Sequence, residues 1–163
     1  MQGKKITLMR HGKSSWENDV KDQDRPLQER GINDAIRVAN FVNGRIQMPD
    51  AVYSSPANRA LHTCTIMMRV WGIPEERLQV NGRLYDFSGE SVKSFIHDLD
   101  DDLDHVMIFG HNHAFTSISN IFGNEMIDNL PTAGLVHIHF EQEHWAAITK
   151  GITKLKIFPK QIR

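Results

Sequence analysis

Cysteine is almost missing: Cys64 is the only one in 163 residues. A single thiol excludes an intramolecular disulfide and every multi-thiolate metal cluster, and it fits a reducing cytoplasm. An excess of one charge is missing too. Nineteen Lys and Arg stand against twenty Asp and Glu, a formal net charge of -1, so no overall basic footprint points to nucleic acid or to an anionic membrane. Any cationic site has to be local. No apolar run approaches the roughly 18 to 20 residues of a membrane span, and the first residues lack the apolar stretch and small-residue cleavage site of a signal peptide. No internal repeat or low-complexity linker interrupts the chain. One cytoplasmic domain over residues 1–163 is expected, long enough to bury a three-layer core.

What is present alternates between two periodicities. Lys4 to Met9 reads as a strand, followed by the polar loop "SSWENDVKDQDRP" to Pro26, a length that in a compact domain often means function. From Leu27 to about Arg45, apolar residues at Ile32, Ala35, Ile36, Val38, Ala39 and Val42 have helical spacing. "DAVYSS" (Asp50 to Ser55) reads as a second strand. Ser54 or Ser55 as N-cap and Pro56 as first helical residue would then start a helix to about Trp71. "RLQV" is a short strand, "GESVKSFIHDL" a helix, "HVMIFG" (His105 to Gly110) a buried strand, and "AFTSISNIFG" a helix ending on Gly123. "GLVHIHFE" and "HWAAIT" read as two strands joined by "QEH", with "TKLKIFP" as a last edge element. The class is α/β, and its crossover units gather the loops after the strands' carboxyl ends at one edge of the sheet, where ligands bind.

Three such ends carry unusual chemistry. Arg10 and His11 follow the first strand, Arg59 lies one turn into the helix after the second, and His111 directly follows "VMIFG". Two arginines and two histidines, with the Ser14 hydroxyl and a helix start near Pro56, suit a tetrahedral dianion. Arg presents paired planar donors that match phosphate oxygens and keeps its charge. Gly12 would let the backbone approach a ligand, and the exposed amides of a helix start add positive charge. A neutral imidazole in such a pocket can attack phosphorus and split one difficult displacement into two easier ones, with the cations neutralising the equatorial oxygens.

The segments "LMRHGKS", "DRPLQERG", "VYSSPANRALHT", "IFGHNHAFTSISN" and "LPTAGLVHI", in order from residue 6 to about 138, resemble the histidine phosphatase superfamily, the phosphoglycerate-mutase-like group. Within it they are similar to the short SixA-type phosphohistidine phosphatases. The resemblance implies a three-layer α/β/α sandwich on a mixed, mainly parallel sheet, and a phosphohistidine intermediate. It makes His11 the nucleophile, with Arg10, Arg59 and His111 completing the phosphate pocket and Ser14 an extra donor. No metal or organic cofactor is expected. Family members acting on phosphate monoesters carry an acidic residue after the third strand to protonate the alkoxide. This chain reads "RLYDFSGES" there, so Asp86 and Glu90 are candidates, Asp86 the preferred one, without the familiar surrounding pattern. A phosphoramidate leaves as an imidazole nitrogen and needs less help. With no long insertion to roof the pocket, the expected substrate is a phosphohistidine on a carrier protein. The alternatives are a small phosphorylated metabolite cleaved by a phosphomonoesterase and a non-catalytic phosphate-binding module.

Other features read as structural. His137 and His139 share a strand face near His144, yet no carboxylate or cysteine sits at a supporting metal spacing. His113 suits a helix start, and "DLDDDLDH" (residues 98–105) a solvated connection. Asp24 and Arg25 are expected to order the long loop, and Lys13 to extend the basic rim. Cys64, the three tryptophans and the seven methionines are expected in or near the core.

Overall fold

Residues 6–9 of the first strand, β1 (Lys5–Arg10), are all buried, and a strand buried on both faces needs a cover on both. A computed structural model describes residues 3–163 and supplies that cover. With β1 run β2 (Ala51–Ser54), β3 (Leu78–Val80), β4 (His105–Gly110), β5 (Leu135–His139) and β6 (Ile152–Ile157). They form one sheet in the order β3-β2-β4-β1-β5-β6. The β3, β2, β4 and β1 strands pair in parallel, while β5 pairs antiparallel with β1 on one side and β6 on the other. The sheet is thus mixed and mainly parallel, as expected.

Five helices cover it among the described residues: α1 (Glu29–Val42), α2 (Asn58–Trp71), α3 (Glu90–His97), α4 (Ala114–Phe122) and α5 (Pro159–Ile162). Alternation along the strands decides which face each helix meets. Val106 and Ile108 of β4 join Ile6, Leu8, Phe95 and Ile118 in one buried cluster with α3 and α4. Met107 and Phe109 join Met9, Val38 and Met67 in the other, with α1 and α2. The outcome is the α/β/α sandwich, and none of these helices is long and apolar enough to cross a membrane.

Three expectations need correction. The "HWAAIT" segment is not a strand. Trp145 to Ala147 form a single 3-10 turn, because the Trp145 ring is fully buried with its Nε1 donating to Leu103 O at 2.8 Å and its backbone N–H to Asp101 Oδ1 at 2.8 Å. The partner of β5 at the sheet edge is therefore β6, "ITKLKI", which takes in most of the "TKLKIFP" element. Second, α2 starts at Asn58 with Ala57 at its N-cap, so Pro56 precedes the helix; the Ser55 hydroxyl accepts the Ala57 N–H at 3.2 Å. Third, Leu27 lies before α1, drawn into a bridge with Ser14 across the loop.

The remaining structural readings divide. Cys64 is buried, and burial pushes its thiol up to about 12, which leaves it inert. Trp71 and Trp145 are core residues. Trp16, however, is 76% exposed, Met126 77% and Met48 42%, so none of the three belongs to the core, and Met1 lies outside the described residues.

Candidate active site

The carboxyl ends of β1, β2 and β4 converge, and the loops after them bring Arg10, His11, Arg59 and His111 together. The approach is fixed by backbone. The Gly12 N–H donates to Thr63 Oγ1 at 3.0 Å, and that hydroxyl donates to the carbonyl of Arg59 at 2.9 Å, tying the turn after β1 to the first turns of α2. A Cβ on Gly12 would lie 2.6 Å from Gly31 O. The close approach that Gly12 permits is therefore to α1 of the same chain, and it seats the loop that carries His11.

His11 is 7% exposed. Its Nδ1 lies 2.7 Å from the carbonyl of Gly12, and a carbonyl only accepts, so Nδ1 carries the proton and Nε2 keeps its lone pair. Burial, reinforced by His111, Arg59 and Arg10, depresses the imidazole to about 3. The ring is neutral at pH 7. His111 is fully buried, its ring centroid 5.3 Å from that of His11, and burial with Arg59 nearby lowers it to about 3 as well. Its Nε2 stands 2.8 Å from Ser55 Oγ, the same oxygen that accepts from Ala57. The Ser55 hydroxyl has one proton and a second lone pair beside the one used by Ala57, and where it donates to Nε2 the ring proton of His111 sits on Nδ1. That Nδ1 is buried without a partner, as is Arg10 Nε. Buried polar atoms are almost always paired. Two orphans beside one histidine mark a place where an oxyanion would be held.

A cavity of about 300 Å³ opens on Arg10, His11, Arg59 and Ser14. The same cavity contains a residue that sequence reasoning missed, Asp22. It accepts from Arg59 Nη2 at 3.0 Å, from Arg25 Nη1 at 3.1 Å and from Tyr85 Oη at 2.5 Å. Burial alone would raise its carboxyl, but the hydrogen bonds from Tyr85, Arg59 and Arg25 outweigh it and hold the group at about 2. Asp22 is a fixed anion bound to the cation that phosphate would need. The only trace of it in the sequence was the crowding of charge in "KDQDRP", which names no residue. Arg25 does order the loop, as expected, through bonds to Ser15 O and Ser14 Oγ as well as Asp22. Asp24 takes part through its backbone: its N–H donates to Lys21 O at 2.9 Å and its carbonyl accepts from Asn58 Nδ2 at 3.4 Å. Ser14 lies on the cavity wall with its hydroxyl accepting from Arg25.

Asp86 is placed differently from its expected role. Its carboxylate accepts the backbone N–H groups of Ser88, Gly89 and Val92 and the Ser88 hydroxyl, each at 3.1 Å. Burial would raise it, yet the Val92, Ser88 and Gly89 bonds win and lower it. It holds the start of α3 and does not line the cavity. Glu90 is exposed in the first turn of α3. His113 occupies the N-cap of α4, the helix-start position expected for it. His144 pairs with Asp101 at 2.9 Å, away from His137 and His139. No group of three or more His, Cys, Asp or Glu among the described residues is placed to hold a metal ion.

Residues 6–88 match the Histidine phosphatase superfamily (branch 1). An uncharacterized protein of Mycobacterium tuberculosis is 26% identical over 157 residues, spanning 90% of this chain and 96% of its own. Phosphoglycerate mutase 1 of Saccharomyces cerevisiae is 32% identical over 109 residues, 56% of this chain and 42% of its own. Among solved structures, the protein histidine phosphatase SixA complexed with tungstate superposes with a TM-score of 0.82 at 19% identity, covering 98% of this chain and 99% of that one. A mycobacterial glucosyl-3-phosphoglycerate phosphatase gives 0.69 at 13% identity, covering 94% and 98%.

Proposed function

Because the chain belongs to the histidine phosphatase superfamily (branch 1) and is a hydrolase of phosphoryl groups, we propose that it dephosphorylates phosphohistidine on a carrier protein through a phosphoenzyme on His11. The observation that carries this reading is the tautomer of His11: Nδ1 is committed to Gly12 O, which leaves the Nε2 lone pair free in a ring that stays neutral. Arg10 and Arg59 flank it with donors for phosphoryl oxygens, and the unpartnered Nδ1 of His111 adds a third when Ser55 donates to Nε2 of that ring.

In the first step His11 Nε2 attacks phosphorus and the substrate P–N bond breaks. Its electron pair goes to the leaving imidazole nitrogen; the substrate reacts in the form whose other ring nitrogen has first taken a proton from solvent, so the ring departs as neutral imidazole. In the second step water attacks phospho-His11, the new P–N bond breaks, and its pair returns to Nε2. Inorganic phosphate keeps both protons of the water. No strong acid is consumed at either step, and none stands ready: Asp86 is spent on α3, and Asp22 is held ionised.

The tungstate held by the SixA structure is a tetrahedral oxyanion, which supports the same guest here. A second reading, a phosphomonoesterase acting on a small metabolite, draws on Asp22. It is the one carboxylate on the cavity wall among the described residues, and a dianion displacing it from Arg59 would raise its pKa. A side-by-side assay separates the two. With a phosphorylated histidine carrier and a panel of sugar and alkyl phosphates, kcat/KM is expected to be highest for the carrier. Efficient turnover of an alkyl phosphate with none of the carrier would overturn the assignment.

A further inference from the structure

The mouth of the cavity is aromatic on two sides. Trp16, from the loop after β1, and Phe87, from the loop after β3, both line it, and they are 76% and 48% exposed. Large apolar rings left in water beside a polar site call for a function. Both are also held still. The Trp16 ring lies 3.2 Å from the Arg25 guanidinium carbon, and Arg25 is itself fixed by bonds to Ser14, Ser15 and Asp22. One face of the indole is thus occupied by a buried cation, and the rest remains accessible. Phe87 packs on His111 at 5.0 Å between ring centroids and on Tyr85 at 5.5 Å. It directly follows two anchored residues. The Tyr85 hydroxyl is bonded to Asp22, and Asp86 is bonded to the start of α3.

We infer that Trp16 and Phe87 form an aromatic mouth that selects a planar ring as leaving group, with Asp86 positioning Phe87. This rests on the phosphohistidine reading, in which the departing group is an imidazole. Once phosphate is seated on Arg10 and Arg59, the leaving atom points out of the cavity toward these rings. An imidazole there stacks on an aromatic face, while an aliphatic alkoxide finds no polar partner on either ring. Stacking of this kind contributes both to ground-state binding and to the transition state, where the ring is still present. The device therefore acts on kcat/KM.

The test uses two probes with the same P–N chemistry: phosphoimidazole, which has a ring, and phosphoramidate, which has none. Each rate is divided by the uncatalysed rate of the same compound, and inorganic phosphate inhibition reports whether the phosphate site is intact. Wild-type enzyme is expected to favour phosphoimidazole. Trp16→Leu and Phe87→Leu, which keep apolar bulk, are each expected to lower the phosphoimidazole-to-phosphoramidate ratio about fivefold, and the double variant about twentyfold. Asp86→Ala should lower the same ratio through the freed Phe87 loop. Equal losses on both probes, or an unchanged ratio in the double variant, would overturn the aromatic mouth while leaving the phosphohistidine reading in place. Failure of wild-type enzyme to cleave either P–N compound would overturn that reading and the mouth with it.

Discussion

The strand β4 carries a buried histidine at each end, His105 as its first residue and His111 just past its last. Both are depressed mainly by burial, to about 4 and about 3. At the amino end the rings are chained to one another: His105 Nε2 meets Thr7 Oγ1 at 2.8 Å, Thr7 meets His137 Nδ1 at 2.7 Å, and His137 faces His139 at 3.0 Å, while the Nδ1 of His105 is left buried without a partner. A cleft lined by Arg45 and Lys154 does open beside His137, but that ring has no nitrogen to offer it. At the carboxyl end His11 keeps a free Nε2, His111 keeps an orphaned Nδ1, and two arginines stand beside them. Burial and a depressed pKa are therefore common to a structural cluster and a reactive one. What distinguishes the proposed reactive cluster is a free Nε2 on His11 in a cavity shared with Arg10 and Arg59.

The comparison breaks most sharply by exchanging the damage. His11→Ala is expected to lower kcat/KM by on the order of 10⁴ or more with little loss of stability, while His137→Ala should destabilise the fold and leave kcat/KM within about twofold. Steady-state kinetics beside urea unfolding of both variants checks this, and a large kinetic loss in His137→Ala would erase the distinction. Next in size is Thr7→Val, which removes the hydroxyl that two rings share and should cost about 1 to 3 kcal/mol in urea unfolding. The same substitution should not move KM.

Acid should weaken both ends together. Burial lowers His11, His105, His111 and His137 from 6.5 to between about 3 and about 4. The unfolded chain then binds protons that the folded chain refuses, so stability falls as pH drops below 6.5. Each of these rings adds a slope of up to about 1.4 kcal/mol per pH unit. Urea midpoints between pH 7.5 and 5 are expected to fall steadily, and inorganic phosphate should flatten the slope by binding the carboxyl-end cluster. The smallest effect is at Asp86. If it holds α3 and Phe87, Asp86→Asn costs less than about tenfold on an alkyl phosphate, whereas loss of a general acid would cost about 10² to 10⁴.

Legibility followed chemistry that is local in sequence. Arg10, His11 and His111 were readable because each stands at the end of or just beyond an apolar run, and Arg59 because it lies in the first turn of the helix after β2; strand-end topology brings such positions together. The alternation of β4 and the period of α1 were readable for the same reason. Asp22 was not, since its partners Arg59 and Tyr85 lie 37 and 63 residues away and nothing local distinguishes it from Asp19 or Asp24. The backbone bonds of Asp86 were not legible, because a carboxylate that accepts backbone amides looks the same in sequence as one that donates a proton. The "HWAAIT" segment alternated like a strand, but the burial of Trp145 against the Leu103 carbonyl set its path. Trp16 was expected inside because tryptophan usually is; its stacking on Arg25 depends on a loop fold that composition does not encode.

The central claim is that His11 Nε2 takes the phosphoryl group, and mass spectrometry of the alkali-quenched enzyme during turnover of phosphoramidate tests it most directly. One phosphoryl group is expected on the peptide that contains His11, stable in alkali, lost in acid, and absent from His11→Ala. Turnover without that adduct, or the phosphoryl group on another residue, would contradict the account.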